Sequence, residues 1–246
     1  MFTFELTMQK RGNHEQVFKK FRDYTMALEL NGQILRRHRL YTDINDDEIL
    51  LRVVAPEATS FNRDNENTIV TNARNALEEI YGEPIVWKNV GKNLNVGDSC
   101  ECEKSSYYIL KGDMKDTVSP VLCGNCGNSV PLYTLPRNYS REEYYDILEW
   151  QRAYNDLTDL FKQGLDERYA YDMLNKANSS LNVEGRRIAK ALNEKTGIPV
   201  YYHMFKYYGK NKDECPICGE GWKNNDGEYN VDYICHRCKL VSSDYE

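Results

Sequence analysis

The sequence predicts an α+β fold built partly around cysteine modules, and three observations predict it. Strand-like runs of period two alternate with helix-like runs of period three to four through residues 1–92. Eight cysteines fall into four close pairs. A helix-rich stretch separates the second pair from the third.

The elements follow in order. Phe2, Phe4, Leu6 and Met8 alternate with Thr3, Glu5 and Thr7, the pattern of a half-buried strand. Val17, Phe21, Tyr24 and Leu28 recur at helical spacing, and Asn31-Gly32 supplies a stop. Two strand-like runs, Ile34 to Tyr41 and Glu48 to Val54, are joined by an acidic turn through Asp43, Asn45, Asp46 and Asp47. Ile69, Ala73, Leu77 and Ile80 mark a second helix, closed by Gly82 and Pro84, and Ile85 to Val90 makes a fourth strand. The order strand, helix, strand, strand, helix, strand is that of the ferredoxin-like (βαββαβ) unit, placed over 1–92.

Residues 93–137 read as a first cysteine module, with a short strand at Tyr107 to Leu110 between its knuckles. A helical segment over 138–198 opens on a capping box, Ser140 to Glu143, and carries a seam of Ile147, Trp150, Tyr154, Leu157 and Phe161 stopped by Gly164. Helices through Tyr169, Met173 and Ala177 and from Asn182 to Thr196 follow, the latter stopped by Gly197 and Pro199. An aromatic strand, Tyr201 to Tyr208, leads into a carboxy-terminal module, the two together spanning 199–246.

The cysteine pairs carry the chemistry. Cys215 and Cys218 with Cys235 and Cys238 have the C-x-x-C…C-x-x-C spacing of a four-thiolate zinc ribbon; Cys100 and Cys102 with Cys123 and Cys126 repeat it with a tighter first knuckle. Gly124, Gly127, Gly219 and Gly221 sit where a knuckle turn calls for left-handed backbone. Two Zn²⁺ ions are expected, each in a closed tetrahedron with no open position for catalysis. Disulfides, unrelated buried thiols and an iron–sulfur cluster are the alternatives that spacing leaves open.

Composition bounds the rest. A 246-residue chain with no long apolar run and no basic leader before a hydrophobic segment is expected to be soluble and cytoplasmic, without a membrane partner. Its formal charge of −6 becomes about −10 once two tetrathiolate zinc centres, each with two net negative charges, are counted. The overall field therefore opposes binding to phosphate backbones, and only a locally basic face could do so.

Such a face is legible between residues 181 and 212, with seven basic against two acidic side chains. Arg186, Arg187, Lys190, Lys206 and Lys210, interleaved with Tyr201 and Tyr202, have the composition of a platform for single-stranded nucleic acid. The competing explanation is a solvated rim around core aromatics. Arg36-Arg37-His38-Arg39 reads as an arginine-protected edge strand. None of His14, His38, His203 and His236 stands in a ligand spacing or beside a nucleophile motif, and His236 reads as a bystander in a complete cysteine shell, so no enzyme activity is expected.

The run Leu181-Asn182-Val183-Glu184-Gly185-Arg186-Arg187-Ile188-Ala189, continued by Thr196-Gly197-Ile198-Pro199-Val200-Tyr201-Tyr202 and the two terminal cysteine pairs, resembles a bacterial family. That family is described as zinc-ribbon proteins with a suggested nucleic-acid-binding role and no established function. The resemblance implies metal binding at the ribbon cysteines and offers nucleic acid as a partner. Residues 142–172 hold nine acidic side chains against three basic ones, which frames the alternative: an interaction module, such as an immunity protein or adaptor, that docks a basic protein.

Overall fold

The computed structural model describes residues 1–9, 14–36, 39–112, 119–137, 143–208, 212–227 and 231–244. The chain is mixed α+β and divides into two compact units. Unit 1 comprises Met1–Ser99, Thr117–Ser119 and Asn128–Tyr144; unit 2 comprises Cys100–Asp116, Pro120–Gly127 and Tyr145–Glu246. All eight cysteines and the helices between them lie in unit 2, whereas the segment 93–137 read from the sequence is shared between the two units.

Unit 1 contains β1 (Phe2–Gln9), α1 (His14–Leu30), β2 (Arg39–Asn45), β3 (Glu48–Ala55), α2 (Thr68–Tyr81) and β4 (Lys88–Lys92). The sheet runs β2-β3-β1-β4, with every neighbouring pair antiparallel. Register places Phe4 opposite Val53 and Leu6 opposite Leu51, so these side chains share one face. That face meets Val17, Phe21, Tyr24 and Leu28 of α1 and Val70 and Leu77 of α2 in one core. Glu5 and Arg52 pair on the opposite face.

The second strand begins later than its apolar pattern suggested. Ile34 is buried before the strand starts, and Arg36 and Arg39 each lie 2.9 Å from a different carboxylate oxygen of the buried Glu29 at the end of α1. Arg36 therefore balances a buried acid instead of protecting an edge strand. Arg37 and His38 lie outside the described residues, as does the cap expected at Ser140.

Unit 2 contains β5 (Tyr108–Leu110), β6 (Val121–Cys123), α3 (Tyr145–Lys162), α4 (Glu167–Asn175), α5 (Ser180–Thr196), β7 (Val200–His203), β8 (Tyr233–Cys235) and β9 (Leu240–Ser242). These strands form one sheet in the order β6-β5-β7-β9-β8. β7 is the hub: it runs parallel to β5 on one side and to β9 on the other, while β5-β6 and β8-β9 are antiparallel pairs. The expected eight-residue aromatic strand is only four residues long.

Successive β7 tyrosines go to opposite faces. Tyr202 packs edge-on against Trp150 of α3 and donates from Oη to Asn182 Oδ1 on α5 at 2.6 Å. Tyr201 joins Tyr107, Ile234 and Val241 on the other face.

Candidate metal centres

Both sets of four cysteines converge. In each set the four sulfurs lie within 4.8 Å of one another, and all eight cysteines are free thiols. With metal–sulfur bonds of about 2.3 Å, a tetrahedral shell holds its sulfurs about 3.8 Å apart; Cys218 Sγ and Cys235 Sγ stand at 3.7 Å. The residues fit a single tetrahedrally coordinated ion at each site.

The sheet positions these ligands. Cys123 ends β6 and Cys235 ends β8, the two edge strands, so one sheet carries a centre at each side. In the knuckle Cys123-Gly124-Asn125-Cys126-Gly127 the Gly127 amide donates to Cys123 O at 2.8 Å; in Cys215-Pro216-Ile217-Cys218-Gly219 the Gly219 amide donates to Cys215 O at 2.9 Å. These glycines have φ of 73° and 74°, the left-handed turn that folds the second thiol back toward the first. The third knuckle, Cys235-His236-Arg237-Cys238, puts Lys239 in the same place, at φ 53°. Gly124 and Gly221 are not left-handed, contrary to the sequence reading. Gly124 is small for another reason: a Cβ there would stand 2.4 Å from the Tyr107 ring.

The metal-free thiols differ in acidity. Burial opposes ionisation of Cys123, but the Ser105 hydroxyl and the amides of Cys126 and Asn125 bring it down to about 6. Burial, with the sulfurs of Cys123 and Cys126, holds Cys100 well above the ordinary thiol range. Cys218 is lowered by the Glu220 amide, while burial raises Cys235 and Cys238. Each site thus holds one thiol made more acidic and at least one made less acidic, and ligation by a cation releases thiol protons.

The other residues singled out in the sequence separate. Tyr201 and Tyr202 are 2% and 1% exposed, so neither can receive a base; period two carries both inward because both faces of β7 are covered. Tyr201 Oη lies 2.9 Å from His236 Nδ1, which makes His236 a neighbour of the second centre outside its set of four sulfurs. Arg187 pairs with Glu184, and Lys190 reaches Glu194 at 3.8 Å. Arg186 and Lys206 line a shared cavity, and Lys210 lies outside the described residues. Sequence reasoning counted Lys212 in the basic run without naming it a contact, and missed Arg237 and Lys239; all three line cavities beside Arg186. Their signal was present: two flank Cys238, and Lys212 belongs to the same basic run.

Two stretches match family models: residues 1–91 match a domain of unknown function (DUF8589), and residues 102–205 match another domain of unknown function (DUF2310). The chain is similar to an uncharacterized protein of Haemophilus influenzae, with 27% identity over 223 residues covering 87% of this chain and 85% of that protein. A second uncharacterized protein of that organism is 26% identical over 161 residues, 63% of this chain and 79% of its own length. No solved structure matches. Among the described residues no helix is long and apolar enough to cross a membrane.

Proposed function

We propose that the chain is a non-catalytic, cytoplasmic zinc-binding protein, with a ferredoxin-like first unit and two structural centres of zinc-ribbon type in the second, which binds nucleic acid through a basic face. The convergence of eight thiols into two tetrads on one sheet carries the metal reading. A multi-iron cluster distributes its thiolates over separate irons and holds them farther apart than sulfurs within 4.8 Å of one another. Four thiolates around Zn²⁺ leave no vacancy for substrate, so the ion supplies folding energy and charge.

For the partner, the basic run around α5 favours nucleic acid over a cationic protein. The acidic stretch is partly engaged within its own surface: Arg152 lies 3.6 Å from Glu149 and 4.0 Å from Asp156, and Lys176 lies 2.7 Å from Asp172. Cobalt substitution tests the metal reading. Two equivalents should give the intense thiolate-to-metal absorption of tetrahedral tetrathiolate sites, and zinc should displace them. Failure to take up cobalt, or absorption characteristic of an iron–sulfur cluster in the protein as isolated, would overturn it.

A further inference from the structure

Two adjoining cavities in unit 2 share Arg186 as a common wall. The first, about 630 Å³, includes Met204 and the buried Trp222 in its lining, has half-exposed Val183 and Ile217 beside them, and has Lys206 and Lys212 among its charged residues. The second, about 420 Å³, is lined by Lys190, Arg237 and Lys239 as well as Arg186. Both volumes fall in the range of ligand pockets. Glu214 in the first and Glu194 in the second are the carboxylates present.

The charge is not balanced internally. Lys190 approaches Glu194 and Arg237 pairs with Glu220, but Arg186, Lys206, Lys212 and Lys239 stand within ion-pair distance of no carboxylate among the described residues. Arg186 uses one donor, Nη1, on Ala177 O at 2.6 Å and keeps the remainder of its fork. Negative charge at the second metal centre explains Arg237 and Lys239, which flank Cys238. It does not explain Arg186 on α5 or Lys206 after β7.

Lys239 lies both next to the metal centre and in the wall of the second cavity. It occupies the left-handed position that glycine fills in two other knuckles, a backbone state costly for any residue with a Cβ. Its Nζ stands 4.9 Å from the Tyr201 ring centroid, and the residue lines the second cavity. Its Nζ also donates to Tyr201 Oη at 3.5 Å, so the metal centre and Tyr201 account for its placement, and the same ammonium borders the second cavity.

We propose that the double cavity is a binding site for single-stranded nucleic acid, with phosphate held by Arg186, Lys190, Lys206, Lys212 and Lys239 and a base received against the half-exposed Val183 and Ile217. This deepens, and rests on, the nucleic-acid reading above. A lining that mixes half-exposed apolar side chains with cations suits a chain in which flat bases alternate with anionic links.

Fluorescence anisotropy of the zinc-loaded full chain with labelled single-stranded DNA and RNA, at low and moderate salt, tests it. Paired Lys206→Glu and Lys212→Glu should weaken binding at least about tenfold and flatten the salt dependence. Lys206→Gln with Lys212→Gln should give an intermediate loss at unchanged zinc content, which separates lost contacts from misfolding. Lys88→Glu, an exposed residue of β4 that lines neither cavity, should change affinity less than about twofold. Lys239→Gly should weaken binding while thermal stability holds or rises.

Binding that survives the cavity variants, or that falls equally in Lys88→Glu, would place nucleic acid elsewhere and overturn this site alone. Lysine-dependent binding of a free nucleoside monophosphate, without oligonucleotide binding, would overturn the strand proposal in favour of a nucleotide. No binding of either at low salt would overturn both the site and the nucleic-acid reading.

Discussion

Gly185 of α5 lies directly against the Tyr202 ring and the Trp150 indole. A Cβ there would stand 2.2 Å from Tyr202 Cε2 and 2.7 Å from Trp150 Nε1. Both rings are buried and held, Tyr202 by Asn182 and Trp150 by its Nε1 bond to Leu181 O at 3.1 Å. Gly185→Ala should therefore destabilise unit 2 by about 1–3 kcal/mol, read from the urea midpoint at constant zinc. The glycine was visible in the sequence, but its reason was not, because the ring that needs the space comes from a strand further along the chain. His203 offers a pH test. Burial, then nearby Lys111, pushes it down to about 3 from an ordinary 6.5, and its Nδ1 has no hydrogen-bond partner among the described residues. A depressed base favours the fold above pH 6.5, and that contribution is lost as pH falls from there toward 3. With excess zinc, wild type should lose stability between pH 7 and 5 more steeply than His203→Asn; parallel slopes would contradict this.

Among the elements, helices were the most legible. Gly82 and Gly197, read as stops from sequence, cap α2 and α5 in left-handed conformation, and their amides close the last turns on Glu78 O and Asn193 O. The sheet of unit 2 was not legible, because a parallel pairing of β7 with both β5 and β9 leaves no local signal in any of the three strands. Its partners lie far apart in sequence, and β7 is too short to declare itself by period. That pairing has a consequence for the cysteine sites. Tyr107, whose ring covers Gly124 at the first centre, meets Tyr201 edge-on, and Tyr201 reaches His236 at the second. Losing one ion should loosen the sheet that holds the other. Paired Cys100→Ser and Cys102→Ser should raise the zinc dissociation constant of the second centre, measured by chelator competition. An unchanged constant would show that the centres act separately.

Across the whole molecule the two units draw stability from different sources. Unit 1 has a continuous apolar core between its sheet and two helices, and the described tetrads lie in unit 2. Chelation followed by amide exchange should therefore strip protection from β5, β7, β8 and β9 while β1 and β3 keep theirs. That the cysteines all follow residue 99 was readable from the sequence; that they converge into two tetrads within unit 2 was not. The charge balance sharpens the nucleic-acid question, since a chain of formal charge −6 can meet phosphate only through a local concentration of cations such as that around Arg186. The most direct test of the account is a metal count by native mass spectrometry of the purified full chain. It predicts two zinc ions per chain with all eight thiols reduced. A protein carrying no metal, or one whose cysteines are joined as cystines, would contradict it.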